Sequence, residues 1–357
     1  KEKYIMDKRK KLLLHCSLLT IIFTQLISCQ MKKDLPQFHV EMCHTENKYE
    51  IEPVYDKIKT LEGVSASFPY GGSSGVWGDS HKSWTEQYGT PIGADITYYA
   101  GYEDTFYRLN VDFPVDTIVD LAKRLYATDE DLENDEELKE YVYERKPNQY
   151  GAYTEFRDLI FGFAPKGMVV VWLRYGASQK ELGRYQAEVI KDDAALEKKL
   201  FASWSMNRKE VREKYLITDA SPQKWDNYRK KYVWRPAITS ENKNFKLFWV
   251  LTEYFNAETE NAVRPILLHP AKRERAIPSL ITFFWETGIG EKYEGRAFFN
   301  WEKTNELFKN EDNGDNEIQI KINPDNSDFE VQINGHPLET VNKRVFTTDR
   351  EFKESYK

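Results

Sequence analysis

The stretch Leu159-Ile160-Phe161-Gly162-Phe163-Ala164-Pro165-Lys166-Gly167-Met168-Val169-Val170-Val171-Trp172-Leu173 decides the fold class. Two apolar runs rich in β-branched and aromatic residues flank Pro165-Lys166-Gly167, the residue types a tight turn selects. The stretch therefore predicts a hairpin, Leu159 to Phe163 against Met168 to Leu173. Upstream, Ile96-Thr97-Tyr98-Tyr99 predicts a strand, followed by a turn and a second strand from Thr105 to Val111. Pro114 then opens a helix to about Tyr126, with Val115, Ile118, Val119, Leu121, Ala122 and Leu125 spaced for one apolar face. Strands, then a helix, then a hairpin imply an α+β fold.

The same order returns near the C-terminus. Ile281-Thr282-Phe283-Phe284 is followed by Tyr293 to Phe299 and by a helix from about Trp301 to Lys309. A second hairpin runs from Glu317 to Ile322 and Phe329 to Ile333 across Asn323-Pro324-Asp325-Asn326. With one inserted residue in the turn, Tyr107 aligns with Tyr293, Phe113 with Phe299 and Leu121 with Leu307. Two loosely repeated units are expected, each a mostly antiparallel sheet with a helix packed on it. Between them, Asp192 to about Tyr215 is helical, with Ala195, Leu196, Leu200, Phe201 and Trp204 apolar. Ser221-Pro222 reads as an N-cap and first helical residue, placing Trp225, Tyr228 and Tyr232 on one side of a further helix. The run Asp129 to Glu137, seven acids in nine residues, reads as a solvated excursion.

The N-terminal segment addresses location. Met6-Asp7-Lys8-Arg9-Lys10-Lys11 is a basic region, Leu12 to Ile27 is mostly apolar, and Leu26-Ile27-Ser28-Cys29 has the pattern of a bacterial lipobox. Cleavage before Cys29 and acylation of its thiol are expected, with residues 29–37 as a tether. The apolar segment, interrupted by His15, Thr20, Thr24 and Gln25, is a poor spanning helix, which needs about 20 apolar residues. Gln30 follows the cysteine and only Asp34 offers an acid nearby, so a periplasm-facing outer-membrane address is expected. Residues 1–28 carry +4 of the chain's net −7, leaving −11 on residues 29–357. That acidic balance argues against nucleic acid as a partner. Cys43 is the one cysteine beyond the lipidated position, so no intramolecular disulfide forms there and the core must suffice.

Several motifs together resemble a bacterial envelope family known as domain of unknown function 2931. They are Gly75-Val76-Trp77-Gly78, with Val76 an insertion relative to the family's tighter turn, Pro91, Phe106-Tyr107, and the hairpin ending in Val171-Trp172. The resemblance covers Phe68 to Tyr185 well and the second half weakly. It implies lipoprotein status and an α+β fold, and brings no catalytic residues.

The residues that carry chemistry give no compelling active site. Gly71-Gly72-Ser73-Ser74-Gly75 satisfies the nucleophile-elbow pattern, and Val64 to Phe68 reads as the strand before it. Val76-Trp77-Gly78-Asp79 reads as a turn where a hydrolase needs a helix. His39, Glu41 and Cys43 share one face of a first strand, with His44 opposite, and supply too few ligands for a tetrahedral metal site. His81, His269 and His336 are isolated in sequence. Trp77 and Trp84, in the loop-rich stretch Gly71 to Gly89, are the candidate binding anchors. The sequence thus reads as a signal peptide (1–28), a tether (29–37), a first α+β unit (38–190), a helical connector (191–232) and a second unit (233–357). The expected function is a non-catalytic lipoprotein that binds another protein, with no cofactor and no metal. One version is an immunity protein against a delivered toxin. The alternatives are a structural component of an envelope assembly and an envelope hydrolase using Ser73 or a carboxylate pair.

Overall fold

The computed structural model describes residues 35–69, 75–80, 86–125, 143–144, 155–175, 178–264, 266–288, 290–310 and 316–350. The first half contains β1 (Gln37–His44), β2 (Ile51–Thr60), β3 (Glu86–Tyr88), β4 (Pro91–Ala100), β5 (Thr105–Asp112) and helix α1 (Val115–Lys123). After a two-residue pair, β6 (Arg124–Leu125) with β7 (Tyr143–Glu144), come β8 (Glu155–Ala164), β9 (Met168–Tyr175), β10 (Ser178–Gln186) and β11 (Glu188–Val189). Helices α2 (Ala194–Phe201), α3 (Arg208–Tyr215) and α4 (Gln223–Tyr228) lead to the rest. That part contains β12 (Lys231–Ser240), β13 (Lys246–Tyr254), β14 (Thr259–Val263), β15 (Arg273–Ala276), β16 (Pro278–Glu286) and β17 (Lys292–Phe298). Helix α5 (Trp301–Asn310), β18 (Asn316–Ile322), β19 (Phe329–Ile333), β20 (His336–Pro337) and β21 (Asn342–Thr347) complete it.

The sheet-rich α+β architecture rests on three larger sheets. A four-stranded sheet runs β11-β5-β4-β2, a five-stranded sheet runs β15-β12-β18-β19-β20, and a ten-stranded sheet runs β21-β17-β16-β13-β14-β10-β9-β8-β1-β3. In the first half, β1 pairs antiparallel with β3 and parallel with β8. The antiparallel pairs β8–β9, β9–β10, β2–β4, β4–β5 and β5–β11 complete that series. In the second, β12 pairs antiparallel with β15 and parallel with β18. Its antiparallel pairs are β18–β19, β19–β20, β13–β16, β16–β17 and β17–β21. The ten-stranded sheet is continuous because β14 pairs with β13 on one side and, at Gln179↔Thr259, with β10 on the other.

Two large apolar clusters fill the space between sheets. One gathers Val40, Ile96, Tyr98, Leu109, Phe161, Phe163, Val169 and Val171, with Ile118 and Leu121 of α1. The other gathers Trp234, Phe283, Trp285, Ile318, Ile320, Val331 and Ile333, with Phe308 of α5. The unbroken apolar run of β9 has a direct cause, since residues Met168 to Leu173 are buried on both faces. Trp172 emerges on the face away from the sandwich, where Trp77 packs edge-on at 4.8 Å and the Asn256 carbonyl accepts its Nε1–H at 3.0 Å.

The helical connector departs from expectation. Asp192 to Tyr215 is two helices, because residues 202–207 break the run and Asn207 starts α3 with a reciprocal cap, its side chain accepting from Glu210 N. α4 starts at Gln223, one residue later than expected, and Ser221 Oγ accepts from Gln223 N at 3.3 Å. Tyr232 belongs to β12 and stacks on Phe308 at 4.9 Å, so it does not extend the helix face of Trp225 and Tyr228. The strand expected from Val64 to Phe68 reduces to one bridge, Ile58↔Ala66.

Candidate functional site

The outer face of the four-stranded sheet is not bare. Alternation along β4 sends Tyr98 into the sandwich and Tyr99 out of it. Outside, Tyr99 and Phe106 meet Leu200, Phe201, Trp204 and Val211 from α2, α3 and their link, forming a separate small core. The helices are fastened there by Arg208. Its guanidinium donates to Asp104 at 2.6 Å, Asp193 at 2.8 Å and Glu197 at 3.0 Å, and lies 5.4 Å from the Phe106 ring centroid. The Ile217 N–H adds a backbone bond to the Tyr102 carbonyl at 2.8 Å.

At one end the helices and sheet part, leaving a groove of about 370 Å³. Its floor is Tyr99, Gly101 and Tyr102, its far wall Trp204, Met206, Val211 and Tyr215, and its near rim Asn47, Lys48, Glu50, Ile51 and Glu52. Tyr99 and Tyr102 are buried, whereas Tyr215 is 44% exposed at the mouth and Leu216 beside it 41%. Lys48 is held by Glu46 at 3.1 Å. Among the described residues neither Glu50 nor Glu52 forms an ion pair. Partial burial, reinforced by the charge of Glu50, pushes the Glu52 carboxyl above its ordinary value. The groove therefore combines the accessible rings of Trp204 and Tyr215 with two acids that form no ion pair among the described residues, a combination that attracts cations.

A second polar cluster lies under residues 75–80. Arg174, on β9, donates to Glu41 at 2.9 Å, Asp158 at 2.8 Å and Gln179 at 3.0 Å, with Asp79 at 3.7 Å. His39 Nδ1 stands 3.5 Å from Asp158. Glu41 also accepts from Ser80 N, yet burial outweighs Arg174 and raises its carboxyl above the usual range. Gln179 ties the cluster to the second half, donating to the Gly78 carbonyl at 2.9 Å and the Ala257 carbonyl at 2.8 Å. Gly78 is required twice over, because its φ is +80° and a Cβ would come within 2.2 Å of Ala257 Cβ. This cluster is saturated with internal bonds and sits at the seam between the halves, so its arrangement serves assembly.

β1 places the sequence-named His39, Glu41 and Cys43 toward this cluster. Cys43 Sγ accepts from Gly78 N at 3.2 Å, and complete burial pushes its thiol up to about 12. No group of three or more His, Cys, Asp or Glu among the described residues is arranged to hold a metal ion. Trp77 is half-buried against Trp172 and 6.5 Å from Trp225, with its Nε1 buried and without a hydrogen-bond acceptor among the described residues. Cys29, Ser73, His81, Trp84 and the run Asp129 to Glu137 lie outside the described residues. Sequence reasoning missed the groove, although Tyr98-Tyr99 carried a signal. Adjacent aromatics on one strand point to opposite faces and require cover on both.

Comparison with known proteins gives one match. No curated protein and no solved structure matches the chain. A family model matches residues 53–231, a span that holds β4, β5, the connecting helices and the groove's floor and far wall, and that ends where β12 begins. The chain belongs to the family described as Protein of unknown function (DUF2931).

Proposed function

We propose that this chain is a lipid-anchored, non-catalytic envelope protein whose groove between the four-stranded sheet and α2–α3 binds another protein. The observation that carries the reading is the groove itself: aromatic side chains and two unpaired acids, opening beside the exposed Tyr215 and Leu216. Exposed aromatics next to a pocket are the usual anchors of protein interfaces. Acylated Cys29 would hold this groove at the outer membrane, facing the periplasm, through the tether ahead of β1. An immunity protein against a delivered toxin is the version of this function that suits such an address.

The architecture is, on this proposal, two related α+β units. Support comes from the order of pairings. Parallel β1–β8 corresponds to parallel β12–β18, and each of the six antiparallel pairs of the first series has a counterpart of the same orientation and chain order in the second. α1 and α5 occupy corresponding places between the fourth major strand and the hairpin.

The test is photo-cross-linking in intact cells producing the full chain. A benzophenone side chain at Tyr215 should give a discrete protein adduct, while the same group at Val341, 67% exposed and remote from the groove, should give none. No adduct at Tyr215, or the same adducts at both positions, overturns the reading. The anchor is tested separately: labelling by an alkyne palmitate analogue should be lost in Cys29→Ser.

A further inference from the structure

We infer that the groove is built to take an arginine side chain presented by the partner protein, its guanidinium lying between the Glu50–Glu52 rim and the Trp204–Tyr215 wall. The inference rests on the binder reading above and adds the chemistry of what is bound. Three observations converge on it.

The first is charge. Of the ionisable side chains lining the groove, Lys48 is engaged by Glu46, while Glu50 and Glu52 have no cationic partner among the described residues. The nearby arginines are committed elsewhere: Arg208 to Asp104, Asp193 and Glu197, and Arg212 to Asp104 at 3.6 Å. An incoming cation meets two carboxylates that have no ion-pair partner among the described residues, with Lys48 turned to Glu46 and Lys214 over the Tyr215 ring.

The second is the lining. Trp204 and Met206 of the far wall and Tyr215 at the mouth are half-buried or exposed, so they offer an indole face, a thioether and a phenol ring above the buried Tyr99, Tyr102 and Val211. Guanidinium is planar and weakly hydrated, so it stacks on such faces and still reaches carboxylates in its own plane. An ammonium keeps its hydration shell and makes poorer use of the walls.

The third is desolvation. Burial and its neighbour Glu50 both disfavour charge on Glu52, so a bound cation relieves an existing electrostatic strain. The molecule already uses the same device on the outer face of the four-stranded sheet. Arg208 lies across the Tyr99 and Phe106 rings, at 6.0 and 5.4 Å from their centroids, while paired with carboxylates. The groove repeats that environment with the arginine missing.

The test titrates the full-length chain, labelled with ¹⁵N at tryptophan, with the blocked peptide acetyl-Gly-Arg-Gly-Arg-Gly-amide and with its citrulline counterpart. The Trp204 indole signal is assigned by its loss in Trp204→Phe. The arginine peptide should shift it saturably, and the neutral citrulline peptide should not. The double variant Glu50→Gln/Glu52→Gln should weaken binding about tenfold. The control Glu188→Gln/Glu330→Gln, exposed acids elsewhere, should stay within about twofold. Equal shifts by the two peptides, or equal weakening by the two double variants, overturns the inference. Saturable arginine binding without any Tyr215 adduct in cells would sustain the groove chemistry while sinking the protein-partner reading. An adduct formed without arginine dependence would do the reverse.

Discussion

The hairpins β8–β9 and β18–β19 each pair parallel with an earlier strand on one side and antiparallel with a later strand on the other, yet their far ends are held by opposite chemistries. Counted back from the turn, Asp158 and Asn316 occupy matching places on β8 and β18, beside His39 of β1 and Trp234 of β12. In the first hairpin that place is ionic, with Asp158 and Glu41 sharing Arg174. In the second it is neutral. Asn334 donates to Asn316 Oδ1 at 2.8 Å, and Asn316 donates to the Val233 carbonyl at 3.0 Å. The ionic end faces residues 75–80 and the turn of the second half, where a guanidinium with five donors reaches several acceptors at once. The amide bonds join β18 to β12 and to the turn after β19. The difference teaches that the ionic end forms where β1, β8 and β9 meet residues 75–80, beside the neutral Gln179 bond that reaches Ala257 of the second half.

The largest break of this comparison is Arg174→Met. It strands two buried carboxylates and should cost about 3–5 kcal/mol, read as a shift in the urea midpoint. An equal loss in a chain also carrying Asp158→Asn would show that the ion cluster is not the cause. Next is Gly162→Ala. The register position it occupies is Ile320 in the other hairpin, but here a Cβ would meet Trp172 at 2.5 Å and Trp77 at 2.7 Å. A loss of about 1–3 kcal/mol is expected, and Trp77→Phe should relieve part of it. Asn334→Ala should cost about 1–2 kcal/mol, because it removes the donor to the buried Asn316 Oδ1 and the acceptor of Glu317 N.

The smallest effect is the most discriminating, since it is one of sign. The Glu41 carboxyl is held above its ordinary value by burial, so its contribution is complete below the ordinary carboxylate range and fades as pH rises through the raised value. Glu317 is held below its ordinary value by hydrogen bonding to Arg235, so its contribution is complete above that range and fades as pH falls through the lowered value. Urea midpoints from about pH 3 to about pH 7 should therefore lose slope on the less acidic side in Glu41→Gln and on the more acidic side in Glu317→Gln. The same side for both would refute the contrast.

Much of the frame was legible because it follows from period and turn chemistry. The hairpin around Pro165-Lys166-Gly167 formed at its expected residues, with Lys166 at φ 59° and Gly167 at φ 73° making the turn. Pro114 stands before a helix whose Ile118 and Leu121 face the core as their spacing requires, and the helix expected from Trp301 forms with Phe308 fully buried and Leu307 half-buried. β14 was not legible. Its residues Thr259–Val263 are all half-buried and carry no alternation, and its pairing with β10 is a long-range event. The Arg174 cluster was hidden for a related reason. Glu41 and Arg174 are far apart in sequence and meet only once β1 lies parallel to β8, a pairing that local patterning does not encode. The groove depends on a helix pair folding back over a distant strand, which the separate patterns of the two segments do not announce.

The parallel pairing of β1 with β8 also has a mechanical meaning. β1 is the first described strand, and seven of its residues are registered on β8 while β3 flanks its other edge. A pull on the chain ahead of Gln37 runs along the strand axis and loads these backbone bonds together in shear, instead of peeling them one at a time. Such a pull is resisted by the sheet as a whole.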